Sequence, residues 1–435
     1  MNLPSSLHVG QFWPTKNPQF GFVLQSLIMN LPTAHPFIIR SVPLGHNSRQ
    51  DYGYVMLAVY MRAVIAGYCR TPFQRAHRGE LKDTRPEDMI SAVIRETLAK
   101  TTVDVNLLED VMVGCAYPEG EQGLNIGRIS TYMSGIPDTV PGMTTNRLCG
   151  SSMQVLHTAA GSIAMGSGNA FICAGVESMS RIMRGGFNRS PHPKLEQTYP
   201  EAYIGMGLTA ENLATSHDIK RDVQEEFAAM SHKKAISAQN AGLFSDEIIA
   251  VSGCELDGCM RSPNLEKMSQ LKPAFVETGS VTAATSSPLT DGASSVLVLS
   301  QDFALEHSIK PLASIVSTAV AGVPPELMGY GPVPATEKAL IRAGLTMDDI
   351  DVIEMNEAFS AQSLACLKDM GLDMNDSRIN IDGGALAIGH PLGASGCRIT
   401  GKAASLLQRT DGQYALATMC IGGGMGIATV LERWN

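Results

Sequence analysis

The stretch GGALAIGHPLGASG (residues 383–396) places one histidine, His390, among residues with small side chains or none. Further along, CIGGGMG (residues 420–426) surrounds Cys420 with glycines in the same way. Because glycine leaves neighbouring side chains and backbone N–H groups accessible, both segments are typical of places where a substrate approaches the chain. Pro391 and Gly393 fix a tight loop after the histidine, and the pattern predicts a helix from about Ala394.

The same local order occurs earlier in the chain. Residues 144–175 and residues 379–422 each run from a turn through small residues into a helix and then a strand. Cys149 stands just before the helix of the first segment, as His390 does in the second. We therefore predict two similar α/β halves whose sites meet.

Short apolar stretches alternate with helical patterns along most of the chain, which predicts an α/β fold with sheets covered on both faces. Residues 184–285 interrupt this alternation with prolines, a long helix and loops, and we interpret them as an insertion that can lie over a site. The predicted division is an N-terminal extension at 1–60, a first half at 61–310 that contains this insertion, and a second half at 311–435.

The composition indicates a globular protein with more than one core, since 435 residues carry 44% hydrophobic residues and the mean hydropathy is +0.03. A net charge of −9 argues against nucleic acid as the main partner. The nine cysteines are odd in number and include no CxxC pair, which supports neither a disulfide framework nor a zinc site. No apolar run is long enough to span a membrane. We expect a reducing, cytoplasmic location.

The first fifty residues contain Lys16, Arg40 and Arg49 but no Asp or Glu, and they are rich in Pro, Ser and Asn. Three interpretations stay open. The segment is a transit peptide, which would imply the mitochondrial matrix, or a disordered extension. Alternatively, it is upstream sequence that precedes a true start at Met56 or Met61.

Cys149 lies in NRLCGSSMQ (residues 146–154), where a strand ends and a helix begins at about Ser151. A thiol at a helix N-terminus feels the positive end of the helix dipole, which lowers the thiol pKa and favours the nucleophilic thiolate. The alternative is a buried core cysteine. His390 is the candidate base for this thiol, with a purely structural role in its own loop as the alternative.

The glycines after Cys420 run into a β-branched strand rather than opening a helix, so a dinucleotide phosphate cradle is disfavoured. A glycine turn with free N–H groups suits an oxyanion site better. Asn356, in EMNEAFSAQ (residues 354–362), is either a helix N-cap or an amide that holds a catalytic water. Its neighbour Glu357 either anchors a loop or orients a base.

The segments around Cys149, Asn356, His390 and Cys420 resemble the four signature segments of the thiolase family. MGYGPVP (residues 328–334) also resembles this family. The resemblance runs from about Met61 to the C-terminus and is strongest to degradative 3-ketoacyl-CoA thiolases, including the β-subunits of bacterial fatty-acid oxidation complexes. It implies a duplicated thiolase fold, with a five-layered α-β-α-β-α core and an inserted loop domain. It also implies a homodimer or homotetramer, and a possible hydratase/dehydrogenase α-subunit as partner.

The resemblance implies a chemical role for each reactive residue. Cys149 would attack the keto carbonyl of a 3-ketoacyl-CoA and keep the acyl chain as a thioester, and His390 would activate Cys149. Cys420 would act as acid and base at the carbon of the departing acetyl-CoA. Asn356 would hold a water that stabilises one oxyanion together with His390. The N–H groups of Cys149 and Gly422 would stabilise the other.

The implied reaction is thiolytic cleavage in fatty-acid β-oxidation, with coenzyme A as co-substrate, no permanently bound cofactor and no metal. Met206 and Ser287 match positions near the coenzyme A arm. Two departures put coenzyme A affinity in question: Thr282-Ala283-Ala284 replaces the usual Thr-Ala-Gly, and the stretch 254–272 is shorter than is usual.

Three rival functions stay open. An acetoacetyl-CoA thiolase would work on the shortest substrate or in the condensing direction. A decarboxylating ketoacyl synthase shares the fold but carries a histidine at the position of Cys420, which disfavours it. A non-catalytic lipid carrier or assembly subunit on the same scaffold would have no need of the reactive residues, all of which are present.

Overall fold

The structure is a computed structural model that describes residues 37–43, 52–58 and 62–435. Strands β1 (Phe37–Pro43) and β2 (Tyr52–Ala58) pair antiparallel as a separate two-stranded sheet. Apart from these two strands, residues 1–60 lie outside the described residues, so the predictions about them stay predictions.

The rest of the chain alternates between strands and helices, as the sequence predicts. The strands are β3 (Ala63–Arg70), β4 (Gln74–Arg75), β5 (Asp110–Gly114), β6 (Gly142–Thr145), β7 (Ala170–Ser178), β8 (Thr290–Ser300), β9 (Ala313–Gly322), β10 (Val352–Met355), β11 (Tyr414–Ile421) and β12 (Met425–Arg433). The helices are α1 (Pro86–Thr101), α2 (Ile126–Met133), α3 (Ser151–Ala164), α4 (Pro193–Thr198), α5 (Met206–Ser216), α6 (Arg221–Asn240), α7 (Leu265–Ser269), α8 (Gln301–Glu306), α9 (Pro332–Ala343), α10 (Ser360–Asp369), α11 (Ala385–Ile388) and α12 (Ser395–Thr410).

The local sequence explains where these elements lie. Strands β3, β7 and β8 are buried along their whole length, as expected of apolar strands covered on both faces. Helix α1 begins with a proline followed by two acidic residues and ends near Lys100, which suits the helix dipole. Helix α9 ends at Gly344, whose φ of 69° permits a left-handed cap.

The sheet order shows the predicted duplication. In the first half β6, β5 and β7 run parallel, and β8 and β3 follow antiparallel. In the second half β10 and β11 run parallel, and β12 and β9 follow antiparallel. A parallel bridge between Ile353 and Ile379 takes the place that β6 has in the first half. The halves join where β3 meets β9.

The layers are those of a five-layered core. Helices α3 and α12 pack against each other and contact strands of both halves. Their apolar residues form one cluster with strand residues of both halves, among them Met153, Val296, Ile399 and Ile427. Helices α1 and α2 cover the outer face of the first half, and α9 covers that of the second. The prediction of an α-β-α-β-α arrangement is therefore confirmed.

The insertion between β7 and β8 is tied to both halves by buried ion pairs. Arg70 in β3 contacts Glu247 at 2.9 Å and Asp257 at 2.7 Å, and both carboxylates belong to the insertion. Lys402 in α12 joins Glu247 at 2.8 Å to Asp382 at 2.7 Å. Within the described residues, no helix combines the length and apolar character that crossing a membrane requires.

Candidate active site

The loop that carries Cys149 is tightly constrained. Leu148 has a φ of 45°, a left-handed conformation that is rare for leucine. The side chain of Asn146 accepts a hydrogen bond from the Leu148 N–H at 2.8 Å, and Ser151 Oγ accepts one from the Arg147 N–H at 2.9 Å. These bonds hold the strained turn, and Cys149 stands half-buried at its end. Strain of this kind often marks functional sites.

Two backbone groups lower the pKa of the Cys149 thiol by stabilising the thiolate. They are the N–H of Gly422 and the N–H of Cys149 itself. Burial nevertheless dominates and raises the pKa of Cys149 to about 11. The expectation that the start of α3 would lower this pKa is therefore wrong, because desolvation of the thiolate outweighs the dipole and both donors.

The glycines around this contact have no room for a side chain. A Cβ on Gly150 would lie 2.4 Å from Cδ1 of Ile421. A Cβ on Gly422 would lie 2.9 Å from Cδ1 of Leu148 and 3.7 Å from Sδ of Met206. The Cys149 loop and the glycine turn after β11 therefore pack directly together, with Met206 beside them.

Cys420 lies at the end of β11 and is 1% exposed. It shares an apolar cluster with Met328 and Ala358, and Met206 and Phe359 pack against this cluster. Burial, followed by the charge of a Cys149 thiolate, raises the pKa of Cys420 well above its ordinary value. Cys420 is thus a neutral thiol near Cys149, in a form that can donate a proton.

His390 is buried, and its ring is held from one side. Its Nδ1 atom lies 2.6 Å from Oγ of Ser395, and that hydroxyl donates to the carbonyl oxygen of Pro391 at 3.0 Å. Because the single hydroxyl hydrogen goes to Pro391, Nδ1 carries the imidazole hydrogen and donates to Ser395. Nε2 therefore carries the lone pair and is the basic nitrogen of the ring. Burial, with a smaller effect of Arg398, lowers the pKa of His390 to about 3, so the ring is neutral.

Asn356 faces His390. Its Nδ2 atom lies 3.4 Å from Nε2 of His390, and its Oδ1 atom is buried without a hydrogen-bond partner in the described residues. The N-cap of α10 is Phe359, so Asn356 is not the helix cap that the sequence left open. A buried amide with an unsatisfied oxygen beside a histidine is suited to hold a water.

The remaining residues singled out in the sequence lie around this site. The carboxylate of Glu357 accepts from Ser231 Oγ, from Asn380 Nδ2 and from the Leu386 N–H, so Glu357 anchors the loop before His390. It has no hydrogen bond to the His390 ring. The Ser287 N–H donates to the Ala358 carbonyl at 3.0 Å, which puts Ser287 beside the Asn356 segment.

The starts of α3 and α12 lie side by side, which brings the Cys149 loop and the His390 loop together. The Cys397 N–H in α12 donates to Ser152 Oγ in α3 at 2.9 Å, and a Cβ on Gly396 would lie 2.2 Å from the Met153 nitrogen. The reactive residues that precede these helices therefore belong to one site at the junction of the halves. Ser395 is the residue that sequence reasoning missed. Its position at the start of α12, five residues after His390, was the available signal.

The altered turn at Thr282-Ala283-Ala284 is accommodated. Ala284 is buried, and it is not among the residues with positive φ, so this position does not require glycine. No group of His, Cys, Asp and Glu side chains in the part of the chain that the structure describes is arranged to hold a metal ion.

Known proteins match most of the chain. Residues 63–302 match the family described as thiolase, N-terminal domain, and residues 309–433 match thiolase, C-terminal domain. The chain therefore belongs to the thiolase family, whose members are acyltransferases.

Individual relatives narrow this assignment. The 3-ketoacyl-CoA thiolase of Saccharophagus degradans is 46% identical over 385 residues, covering 85% of this chain and 98% of that protein. The 3-ketoacyl-CoA thiolase of Salmonella typhimurium is 46% identical over 386 residues, covering 86% and 99%. A crystal structure of human mitochondrial 3-ketoacyl-CoA thiolase in complex with CoA has a TM-score of 0.79 at 35% identity, covering 86% and 98%.

Proposed function

We propose that this chain is a 3-ketoacyl-CoA thiolase of fatty-acid β-oxidation, which uses coenzyme A to release acetyl-CoA and a shortened acyl-CoA. The observation that carries the proposal is the direct packing of the Cys149 loop on the glycine turn that follows Cys420, where Gly150 lies against Ile421 and Gly422 against Leu148. Cleaving a carbon–carbon bond beside a ketone needs a nucleophile, an acid for the departing carbanion, and stabilised oxyanions. The site offers a group for each.

In the first step the Cys149 sulfur attacks the keto carbon while its proton passes to Nε2 of His390. The hydrogen bond from Nδ1 to Ser395 leaves Nε2 free to accept that proton. The negative charge develops on the former carbonyl oxygen of the carbon that is now bonded to the sulfur. The N–H groups of Cys149 and Gly422, which also favour a thiolate at Cys149, are suited to stabilise this oxyanion.

Collapse of this intermediate breaks the bond between C2 and C3 and leaves the acyl group on Cys149. The carbanion at C2 is stabilised as an enolate, for which Asn356 and His390 offer the second oxyanion site. Cys420 gives its proton to C2, and acetyl-CoA leaves. Because burial keeps Cys420 protonated, it is suited to act as an acid at this point.

In the second step coenzyme A takes the acyl group. Its thiol loses a proton to the Cys420 thiolate and attacks the thioester carbon. The imidazolium of His390 returns its proton to the departing Cys149 sulfur. Both cysteines and the histidine are then back in their starting forms, and the shortened acyl-CoA is released. Met206 beside Gly422, and Ser287 beside the Asn356 segment, support the proposed path of the coenzyme A arm.

The test is a thiolysis assay with 3-ketoacyl-CoA substrates of increasing chain length, together with mass spectrometry of the enzyme after substrate addition in the absence of coenzyme A. We expect activity on several chain lengths and an acyl group on the peptide that contains Cys149. Cys149→Ala should lose both signals. Cys69→Ala is the control, since its thiol contacts Val93 and Thr97 away from the site. Activity confined to acetoacetyl-CoA would instead identify an acetoacetyl-CoA thiolase.

We also propose a homodimer or homotetramer. Strand β6 ends the sheet with no further strand beside it in the described residues, and Leu124, Tyr132 and Met133 nearby are exposed. An open strand edge next to apolar side chains suits pairing between copies. Light scattering after size-exclusion chromatography tests this, and a stable monomer at micromolar concentration would contradict it.

Cellular context completes the proposal. All nine cysteines are free thiols, which supports a reducing compartment and hence the cytoplasm. A hydratase/dehydrogenase α-subunit of a fatty-acid oxidation complex is proposed as the partner. Co-purification from the native host, followed by activity assays of the complex, tests that proposal.

A further inference from the structure

Glu177 is a buried carboxylate that the reaction described above does not use. It lies near the end of β7, has no exposed surface, and pairs with no Lys, Arg or His in the described residues. A buried carboxylate without a cationic partner is costly unless hydrogen bonds satisfy it fully. Its partners therefore indicate why it is there.

Four N–H donors and no acceptor surround this carboxylate. Oε2 accepts from the Ala116 N–H at 2.8 Å and from the Gly393 N–H at 2.9 Å. Oε1 accepts from Gln122 Nε2 at 2.7 Å and from the Tyr117 N–H at 3.2 Å. The Cys115 thiol also lies 3.9 Å from Oε1. Burial raises the pKa of Glu177, and the N–H donors oppose this effect by stabilising the ionised form.

The orientation of Gln122 is itself fixed. Its Oε1 accepts a hydrogen bond from the Ser178 N–H at 2.6 Å, so its amide nitrogen faces Glu177. The carboxylate is thus held by the turn that follows β5, by Gln122, and by the opposite half of the molecule.

The contact with the opposite half reaches the catalytic loop. Gly393 comes three residues after His390 and belongs to the short turn that leads into α12. This turn packs closely on the first half, since a Cβ on Gly393 would lie 2.4 Å from the Val176 oxygen and 2.8 Å from the Gly114 oxygen. Glu177 supplies the hydrogen-bond acceptor at this junction.

The same carboxylate acts on the nucleophile. Burial is the main cause of the raised pKa of Cys149, and the charge of Glu177 adds to it, while the exposed Arg184 acts in the opposite direction. Glu177 therefore binds the loop of the base and also opposes a negative charge on the nucleophile.

We propose that Glu177 is a positioning residue that locks the His390 loop against the Cys149 half through the Gly393 N–H. This proposal rests on the thiolase function proposed above. Once Cys149 forms a bond to carbon, its sulfur is neutral, and the opposition from Glu177 disappears. The residue thus disfavours an idle thiolate, which is open to alkylation and oxidation, without opposing the acyl-enzyme.

The test separates charge from position with two variants. Glu177→Gln removes the charge and turns an amide NH₂ toward two N–H donors. Glu177→Asp keeps the charge but is one methylene shorter, so it cannot hold Ala116 and Gly393 together. The two readouts are thiolysis kcat with KM for coenzyme A, and the rate of Cys149 alkylation by iodoacetamide at pH 8, followed by peptide mass spectrometry.

We expect both variants to lower kcat by about tenfold or more with KM for coenzyme A changed less than about threefold, since misplacing a base costs this order of rate. Alkylation of Cys149 should become about threefold faster or more in Glu177→Gln, because a lower thiol pKa yields more thiolate. It should be unchanged in Glu177→Asp. A merely structural residue would not make the thiol more reactive while slowing turnover.

Glu211→Gln is the matched control. Glu211 is also a nearly buried carboxylate that accepts from backbone N–H groups, those of Ser280 and Val281 in the insertion, and it should leave both readouts unchanged. Turnover within about twofold of wild type in Glu177→Asp would overturn the proposal even if Glu177→Gln failed to fold, as would slower alkylation in a folded Glu177→Gln. Inactive wild-type enzyme would count against the thiolase function, whereas the alkylation comparison tests Glu177 independently of turnover.

Discussion

The imidazole Nδ1 of His390 and the hydroxyl of Ser395 lie 2.6 Å apart, and the same hydroxyl reaches the Pro391 carbonyl at 3.0 Å. This short chain of hydrogen bonds sets which nitrogen of His390 carries the hydrogen. It also ties the ring to the first residue of α12. The tautomer needed to accept a proton from Cys149 therefore depends on a residue that never meets the substrate.

Replacing Ser395 should impair turnover more than binding. In Ser395→Ala the ring loses its acceptor at Nδ1 and is free to take the other tautomer, so we expect kcat to fall by about ten- to a hundredfold. KM for coenzyme A should stay nearly constant. Steady-state kinetics on a 3-ketoacyl-CoA substrate measures both. Ser395→Thr retains the hydroxyl and serves as the control, and equal losses in the two variants would refute a role for the hydroxyl.

The pKa values of His390 and Cys149 give one prediction for acidic pH and another for alkaline pH. His390, with a pKa of about 3, should stay neutral as pH falls from 8 to 5, so protonation of this base should cause no loss of kcat in that range. Cys149, with a pKa of about 11, is mostly thiol below that pH. Its alkylation by iodoacetamide should therefore speed up about tenfold per pH unit between pH 7 and 10. An alkylation rate that reached a plateau near pH 7 would show that the free thiol is already ionised.

Gly150 tests the contact between the Cys149 loop and the glycine turn. In Gly150→Ala the new Cβ would lie 2.4 Å from Cδ1 and 2.8 Å from Cγ1 of Ile421, so the Ile421 side chain or the Cys149 loop must shift. A shift of the loop separates Cys149 from the Gly422 N–H. We expect kcat to fall by about ten- to a hundredfold, since one oxyanion donor is worth that order of rate. The matched control is Gly161→Ala in α3, where nothing lies within 4 Å of a new Cβ. That variant should keep its activity and gain up to about 1 kcal/mol of stability. Unchanged turnover in Gly150→Ala would contradict the packing argument.

The sequence predicted much of this site because its reactive residues lie in local patterns. Cys149 and His390 each precede a helix within a glycine-rich turn, and short-range patterns of this kind can be recognised without knowledge of the fold. The pKa of Cys149 was predicted in the wrong direction. The helix start is visible in the sequence, whereas the burial that outweighs it depends on tertiary packing, which brings residues far apart in the chain together, as it does Gly150 and Ile421.

Long-range polar contacts could not be predicted either, because they too depend on residues that are far apart in the chain. Glu177 and Gly393 are separated by more than two hundred residues, yet one hydrogen bond joins them. Among the five members of the buried ion network, only Glu247 and Asp257 are close in sequence; Arg70, Asp382 and Lys402 come from other parts of the chain. Charge alone does not indicate which carboxylate a buried lysine or arginine will meet. The alternation of strands and helices, by contrast, follows from local hydrophobic periodicity, and its duplication predicted both halves.

Lys402 provides a test of that ion network. It is almost fully buried between Glu247 of the insertion and Asp382 of the second half, at 2.8 and 2.7 Å. In Lys402→Met two buried carboxylates lose their shared cation, although Glu247 keeps Arg70 and Asp382 keeps Arg409. We expect a loss of about 3 kcal/mol, the lower end of the range for breaking a buried ion pair, because each carboxylate retains one cationic partner. The midpoint of urea unfolding, followed by circular dichroism, measures this. Arg62→Ala is the control, since its pair with Glu432 is partly exposed and should contribute less than about 1 kcal/mol. Equal midpoints for the two variants would show that the network does not hold the insertion to the core.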